Sequence, residues 1–307
     1  MPVHQGFLSK MRALAGEPAR YSLVLDDLDL PLNNLLGHSV QLKFTGSIRC
    51  SHCGENTAKS YGQGHCYACF TELARCDLCV MSPDRCHFHR GTCREPDWGQ
   101  AFCMQPHLVY LANSSGIKVG ITRSDRLPIR WIDQGAVQAV PIFATPSRRI
   151  AGLIESIYKS EISDRTQWQR MLMADDLHID LANARTGIGD EVYDAIMALS
   201  TKEDLKFRDV SRPDDIEAPD PSAVTRFTDA EITTLSYPVL GYPSRVVALD
   251  PARSPDIQGQ LLGIKGQYLI LDTGVINIRR YTSYHLRFES SDTPVESRSP
   301  VGQSSLF

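Results

Sequence analysis

The grouping of the nine cysteines constrains this chain more than any other feature of its sequence. They stand at positions 50, 53, 66, 69, 76, 79, 86, 93 and 103, and the rest of the 307 residues contain none. A disulfide scaffold is usually a short secreted chain with an even number of cysteines, whereas this chain is long, has an odd number and begins with no signal-peptide pattern. The cysteines therefore indicate metal ligands in a reducing compartment, and we expect a cytoplasmic protein with a zinc-binding module at 48–107.

The first four cysteines form two Cys-x-x-Cys pairs that are separated by twelve residues. Zn²⁺ prefers four thiolates in a tetrahedron, and one Cys-x-x-Cys turn can bring two sulfurs to the same ion. This spacing predicts a zinc ribbon with a structural site, because a closed four-cysteine site leaves no coordination position for water. Redox use of either pair is the alternative, and the absence of a surrounding βαβ pattern disfavours it. The predicted ligands are Cys50, Cys53, Cys66 and Cys69.

The remaining cysteines predict a second structural zinc site, but the sequence leaves its ligands open. The favoured set is Cys76, Cys79, Cys86 and Cys93. The main competitors are Cys103 and His107, which are spaced i, i+4 and could bind the second ion with Cys76 and Cys79, or a third ion. His87 and His89 are further candidates.

The formal net charge of −4 is the sum of a basic middle and an acidic stretch. Residues 108–170 contain nine basic and five acidic residues, whereas residues 171–231 contain six basic and fifteen acidic ones. The Pro- and Asp-rich stretch at 212–221 favours an extended linker, with an acidic mimic of nucleic acid as the alternative. No run approaches the ~18 apolar residues of a membrane-spanning helix, so no membrane contact is expected.

These patterns predict an α+β multidomain fold. Residues 108–112 and 117–122 alternate apolar and polar side chains around a turn, which predicts a β-hairpin. Apolar residues at helical spacing predict a helix at 147–162, capped by Ser147, and a second helix is expected at 190–199. The expected segments are an N-terminal β-rich segment (1–47), the zinc-binding module (48–107), an α/β core (108–200), an acidic linker (201–235), a small β-barrel (236–289) and a disordered tail (290–307).

The α/β core carries motifs that resemble those of the GIY-YIG endonucleases, in the phage-type variant with Lys in the second motif. Leu108-Val109-Tyr110 matches the first motif and Lys118-Val119-Gly120 matches the second. An Arg on the first helix is matched by Arg130, and the metal-binding Glu of a later helix is matched by Glu155. The whole chain, over roughly 40–175 and 240–285, also resembles an uncharacterised bacterial family that combines such a core with cysteine clusters.

The resemblance implies metal-dependent cleavage of a phosphodiester in DNA or RNA. Tyr110 would then act near the nucleophile with Lys118, Arg130 would hold the phosphate, and Glu155 would bind Mg²⁺ or Mn²⁺. Arg123 and Arg126 would assist phosphate binding. The alternatives are a zinc protein that binds nucleic acid without cutting it, and a zinc-stapled scaffold for protein partners. Outside the resemblance, Glu155 could simply pair with Lys159 at i+4.

The C-terminal β-rich segment interleaves basic and aromatic side chains. Such a pattern is typical of small barrels that stack bases and contact phosphates, and equally of ordinary strands with a solvated charged face. The basic candidates for nucleic-acid binding there are Lys265, Arg279 and Arg280.

Overall fold

The computed structural model describes residues 3–162, 166–173, 179–213, 220 and 222–294. The strands are β1 (Val3–Phe7), β2 (Arg12–Leu14), β3 (Arg20–Leu25), β4 (Leu28–Pro31), β5 (His38–Ile48), β6 (His107–Asn113), β7 (Ile117–Arg123), β8 (Gln138–Thr145), β9 (Lys206–Val210), β10 (Ala223–Phe227), β11 (Thr233–Thr234), β12 (Asp256–Lys265), β13 (Tyr268–Leu271), β14 (Gly274–Asn277) and β15 (Tyr284–Pro294). The helices are α1 (Tyr67–Glu72), α2 (Leu78–Met81), α3 (Pro96–Phe102), α4 (Ile129–Asp133), α5 (Arg148–Tyr158), α6 (Trp168–Met173) and α7 (Leu181–Lys202). The chain is thus a mixed α/β protein with several sheets.

One sheet joins the two ends of the chain in the order β1-β15-β5-β12-β13-β14. The long strand β5 pairs with β15 on one side and with β12 on the other, so that Leu42 lies opposite both Phe288 and Ile257. A small sheet of β2, β3 and β4 packs into the same apolar core through residues such as Leu23 and Leu25. The predicted C-terminal barrel is therefore wrong for these strands, because β12 and β15 take β5 as their central partner and the sheet remains open.

A second sheet has the order β7-β6-β8-β10-β9, with β11 beside β8. The predicted hairpin is confirmed as β6 and β7, which are antiparallel and place Tyr110 opposite Gly120. The predicted helix at 147–162 is confirmed in its main part as α5, whose first turn is capped by the Ser147 hydroxyl accepting from the amide of Ile150 at 3.4 Å. Helices α5 and α7 pack on one face of this sheet, because both bury an apolar stripe against β6 and β8.

Part of the predicted acidic linker belongs to this second sheet. Strand β10 pairs antiparallel with β8 and parallel with β9, and Val224 and Phe227 of β10 are buried in the core below α7. These two apolar residues explain why an acidic stretch enters the sheet. Residues 214–219 and 221 of the predicted linker, and residues 295–307 of the predicted tail, lie outside the described residues.

The cysteine-rich segment connects the two sheets through short helices and turns. Its helices α1, α2 and α3 have six, four and seven residues. The segment therefore contains too little regular secondary structure to build a large core. Within the described residues, no helix is both long enough and apolar enough to cross a membrane.

Candidate functional site

The first cysteine cluster consists of Cys50, Cys53, Cys66 and Cys69, whose sulfurs lie within 4.8 Å of one another. Cys50 follows the end of β5, and Cys66 stands directly before α1, so a turn and a helix start bring the two pairs together. Four sulfurs that surround Zn²⁺ at ~2.3 Å are about 3.8 Å apart along each tetrahedral edge. The Cys53 and Cys66 sulfurs are 3.8 Å apart. The predicted group of four is confirmed as a cluster that could hold a metal ion such as zinc.

Backbone amides prepare the first cysteine cluster for a cation. Burial acts to raise the pKa of Cys50, but hydrogen bonds from the amides of Cys53, Cys66 and His52 outweigh it and lower the pKa to about 6. Burial and the neighbouring thiols raise the pKa of Cys69. The Cys50 sulfur is therefore a thiolate near neutral pH. Ionisation of the other three thiols would place several negative charges close together, and a bound cation removes that repulsion.

A second cysteine group lines a separate cavity in the segment between α2 and α3. Its members are Cys79, Cys86, Cys93 and Cys103. Burial raises the pKa of Cys79 to about 12, with further contributions from Asp77, Cys86 and Cys103. Burial also raises the pKa of Cys103 to about 11. Asp77, Cys79 and His87 also bring potential ligand atoms within 4.8 Å of one another.

Two of the other predicted zinc ligands lie elsewhere. Cys76 packs against the first cysteine cluster. His107 is on β6 and faces a cleft that lies apart from the cysteines.

That cleft has a volume of about 630 Å³, which is within the range of pockets that bind a nucleotide-sized ligand. We call it the basic cleft, because six basic and two acidic side chains line it. The acidic ones are Asp133 and Glu155. The basic ones are Lys10, Arg123, Arg126, Arg130, Arg148 and Arg279. The sequence assigned these residues to three different segments, and the fold brings them to one surface.

Tyr110 lies under the floor of the basic cleft. Its side chain is fully buried, and its hydroxyl donates to Oε1 of Gln134 at 2.9 Å. Burial raises the pKa of Tyr110, while the nearby Arg130 guanidinium acts in the opposite direction. Gly120 on the paired strand makes room for the ring, since a Cβ at that position would lie 2.6 Å from the Tyr110 hydroxyl oxygen. Strands β6 and β7 therefore pack closely at this tyrosine and this glycine.

Glu155 and Arg148 stand on one helix, α5, and both face the basic cleft. Glu155 pairs with Lys159 at 3.3 Å, as the helical spacing allows. Arg148 donates from Nη2 to the carbonyl of Val80 at 2.7 Å, and its amide donates to the carbonyl of Cys103 at 2.8 Å. Burial lowers the pKa of Arg148, the charge of Arg130 lowers it further, and Glu155 raises it. Glu155 therefore lies among several guanidinium groups, whereas the second carboxylate of the cleft, Asp133, pairs with Lys10 at 2.7 Å.

His107 contributes a buried imidazole to the basic cleft. Its Nδ1 lies 2.8 Å from the carbonyl of Gln105, so Nδ1 carries the proton and Nε2 is left as an acceptor. Among the described residues no hydrogen-bond partner reaches Nε2. Burial lowers the pKa of His107 to about 4, which keeps the ring neutral at pH 7. The ring is therefore neutral, with Nε2 as a buried acceptor beside the basic cleft.

Several predicted site residues lie away from the basic cleft. Lys118 is opposite Ala112, at the far end of the hairpin from His107 and Arg123, and its Nζ donates to Thr166 Oγ1 at 2.7 Å. Lys265 is buried beside the rings of Tyr237 and Tyr242. Arg280 is exposed on the neighbouring turn. Arg279 alone of the three C-terminal candidates lines the basic cleft, where Gln63 accepts from its Nε at 2.7 Å.

Sequence reasoning missed Gln134 and Arg148 as cleft residues. Gln134 belongs to the stretch Arg130-Trp131-Ile132-Asp133-Gln134-Gly135-Ala136, which is part of the whole-chain resemblance. The resemblance therefore included Gln134 but assigned it no function. Arg148 was visible only as part of the local excess of arginine.

A comparison with protein-family models assigns the chain to a family. A model described as "Protein of unknown function (DUF2797)" matches residues 37–286. The chain belongs to this family. The match confirms the expected membership in an uncharacterised family. It covers the cysteine-rich segment, the second sheet and strands β5, β12, β13 and β14 of the first sheet. Neither the curated proteins nor the solved structures contain a significant match.

Proposed function

We propose that this DUF2797 protein cleaves phosphodiester bonds of nucleic acid in the basic cleft with the help of a divalent cation. The observation that carries the proposal is the convergence of Arg123, Arg126, Arg130 and Glu155 at one surface, with the buried Tyr110 hydroxyl beneath it. Phosphoryl transfer needs positive charge around the phosphate and a site for a metal ion. An arginine-rich cleft that also contains the carboxylate of Glu155 is suited to both.

Each residue has a role in this proposal. Arg130 binds the scissile phosphate through its planar fork of donors, and Arg123 and Arg126 bind neighbouring phosphates. Glu155 is the ligand of Mg²⁺ or Mn²⁺, which stabilises the charge on the leaving oxygen. Tyr110 acts through its hydroxyl, one hydrogen bond from the cleft surface by way of Gln134.

The order of elements supports a GIY-YIG-like core as the source of this arrangement. The two motifs lie on paired strands, Arg130 lies on the first helix after them, and Glu155 lies on the later amphipathic helix. The position of Lys118 at the far end of the hairpin is the main departure from the motif set. The first cysteine cluster binds zinc as a structural element in this proposal, and its unpaired thiols favour the cytoplasm.

The test is cleavage of plasmid DNA and structured RNA with Mg²⁺ or Mn²⁺, comparing the wild type with Glu155→Gln. We expect the variant to lose at least about a hundredfold in rate, because a metal ligand contributes several kcal/mol to the transition state. The matched control is Glu161→Gln, which removes an exposed carboxylate just beyond the same helix. Equal cleavage by wild type and Glu155→Gln would overturn the site.

A second candidate, binding without cleavage, is favoured by the pair that Glu155 forms with Lys159. A carboxylate that is satisfied in this way can be a structural partner of the helix. Binding of labelled DNA and RNA at several salt concentrations separates the two functions. Tight, salt-dependent binding without cleavage supports the second candidate, with Arg130→Gln reducing the salt slope by about 1. Absence of salt-dependent binding contradicts both.

A further inference from the structure

Four of the five cysteines outside the first cluster share one cavity. Cys86 and Cys103 are buried, Cys79 and Cys93 are half-buried, and all four line the same space together with Phe88 and Gly99. The sulfurs also lie near enough to influence one another electrostatically, since Cys86 and Cys103 act on Cys79, and Cys86 and Cys93 act on Cys103. Four thiols around one cavity are the donor set of a tetrahedral zinc site, although Cys86, Cys93 and Cys103 do not lie within 4.8 Å of one another.

The fifth cysteine, Cys76, is directed to a different neighbourhood. It packs with the first cysteine cluster, and a Cβ built on Gly62 would lie 3.7 Å from its sulfur. It does not line the cavity that the other four share. The set that the sequence favoured, with Cys76 in place of Cys103, is therefore not the one that the fold brings together.

The nitrogen and oxygen donors nearest to Cys79 already have partners. The Asp77 carboxylate accepts from the amide of Cys79 at 3.2 Å and pairs with Nε of Arg94 at 2.7 Å. Nδ1 of His87 lies 2.8 Å from the Thr92 hydroxyl. These contacts fix the loops around the cavity, and Nε2 of His87 remains beside Cys79 as the alternative donor to the thiols.

We infer that Cys79, Cys86, Cys93 and Cys103 bind a second zinc ion. Binding draws the four sulfurs to the corners of a tetrahedron with edges of about 3.8 Å and releases the protons of the thiols. Gly99 keeps this space open, because a Cβ there would lie 3.0 Å from the Cys93 sulfur. With all four positions taken by sulfur, the ion has a structural role.

The position of the site gives that role a consequence for the basic cleft. The segment between Cys79 and Cys86 packs on α5, where a Cβ at Gly152 would lie 2.5 Å from Pro83. Arg148 at the start of α5 donates hydrogen bonds to the carbonyls of Val80 and Cys103. Val80 directly follows the proposed ligand Cys79, and Cys103 is itself a proposed ligand. The second zinc therefore fastens the cysteine-rich segment to the helix that carries Arg148 and Glu155.

Zinc counting on the purified full-length chain tests the inference independently of any nuclease activity. Elemental analysis is expected to give two ions for the wild type, two for Cys76→Ser and one for Cys103→Ser. Adding Cys53→Ser to Cys103→Ser removes the first site as well and leaves none. Two ions in Cys103→Ser, or one ion in Cys76→Ser or in the wild type, would overturn the assignment.

Alkylation of the wild type provides a measurement that does not depend on the folding of variants. N-ethylmaleimide is added before and after removal of zinc by a chelator, and the modified cysteines are mapped by mass spectrometry. Cys79, Cys86, Cys93 and Cys103 are expected to react together and only after chelation. Reaction of Cys103 in the zinc-loaded protein would contradict the inference.

Discussion

Gly120 shows how one residue determines the geometry beneath the basic cleft. A methyl group at this position would come within 2.6 Å of the Tyr110 hydroxyl, and the buried ring has no solvent-filled space into which to move. We expect Gly120→Ala to destabilise the protein by about 1–3 kcal/mol, as overpacking of a core does. Urea unfolding measures the change.

The control for this substitution is Gly187→Ala. Gly187 is exposed inside α7, and a Cβ there would meet no atom within 4 Å. Alanine is the better helix former by about 1 kcal/mol, so this variant is expected to be more stable than the wild type. A loss of stability in both variants would show that the close contact with Tyr110 is not the cause.

His107 makes the stability of the protein depend on pH. Its pKa is lowered by burial to about 4, below the value of about 6.5 for an unfolded chain. The unfolded state therefore binds the proton more readily, and stability falls as the pH drops from about 6.5 toward 4. The loss from this one group amounts to about 3 kcal/mol at 1.36 kcal/mol per pKa unit.

We expect His107→Gln to flatten the acid side of the stability curve. The measurement is the free energy of unfolding by urea between pH 4 and 7, with His89→Gln as a variant at an exposed histidine. A slope that is the same in His107→Gln and in the wild type would contradict the buried neutral state of His107.

The residues of the site differ in how far the sequence could reveal them. Arg130 and Glu155 stand at fixed positions in motifs, so a resemblance could find them. Gln134 and Arg148 act through contacts with Tyr110, Val80 and Cys103 that only the folded chain creates. Their spacing in the sequence carries no sign of these contacts.

Among the secondary-structure elements, the sequence predicted a helix correctly where apolar residues recur at the helical spacing. It missed elements whose buried residues do not follow that spacing. The apolar spacing and the Ser147 cap predicted α5. The expected helix at 190–199 starts too late, because α7 begins at Leu181 behind the Asp180 cap and runs through Gly187 and Gly189. Strands β9 and β10 were hidden by their acidic surroundings, although four of the five residues of β10 are buried in the sheet.

A salt bridge joins α5 to the end of α7. Arg149 forms a two-fold contact with Glu203, at 2.6 and 3.0 Å, and both side chains are less than a third exposed. The Arg149 hydrogen bonds lower the pKa of Glu203. This stabilisation is present above the unfolded pKa of Glu and is lost as the pH falls through the folded value.

Arg149→Gln is expected to cost about 1–3 kcal/mol at pH 7, the range for hydrogen bonds to charged groups. The difference from wild type should shrink as the pH falls below about 4.3, the unfolded pKa of Glu, toward the lowered folded value, because the unfolded chain takes up the proton first. Urea unfolding at pH 7 and pH 3.5 measures it, and Arg90→Gln provides a control at an exposed arginine. A difference that does not change with pH would show that the loss comes from packing alone.

At the scale of the whole molecule, the two ends of the chain form one folded unit. Strand β1 pairs with β15, and β5 lies between β15 and β12, although more than 200 residues separate these partners in the sequence. Alternation of apolar and polar residues can predict a strand but contains no information about its partners. This is why the sequence suggested separate N-terminal and C-terminal segments where the fold has one sheet.

The shared sheet predicts how fragments of this chain behave. A fragment of residues 236–294 should remain unfolded, because β12 and β15 would each lack the central strand β5 and the core would lose Leu23, Leu25 and Leu42. Joining residues 3–48 to the same fragment through a flexible linker restores those partners. Circular dichroism and amide hydrogen exchange distinguish the two. A cooperative unfolding transition in the fragment 236–294 alone would contradict the single sheet, since an isolated set of these strands would then be sufficient for a stable core.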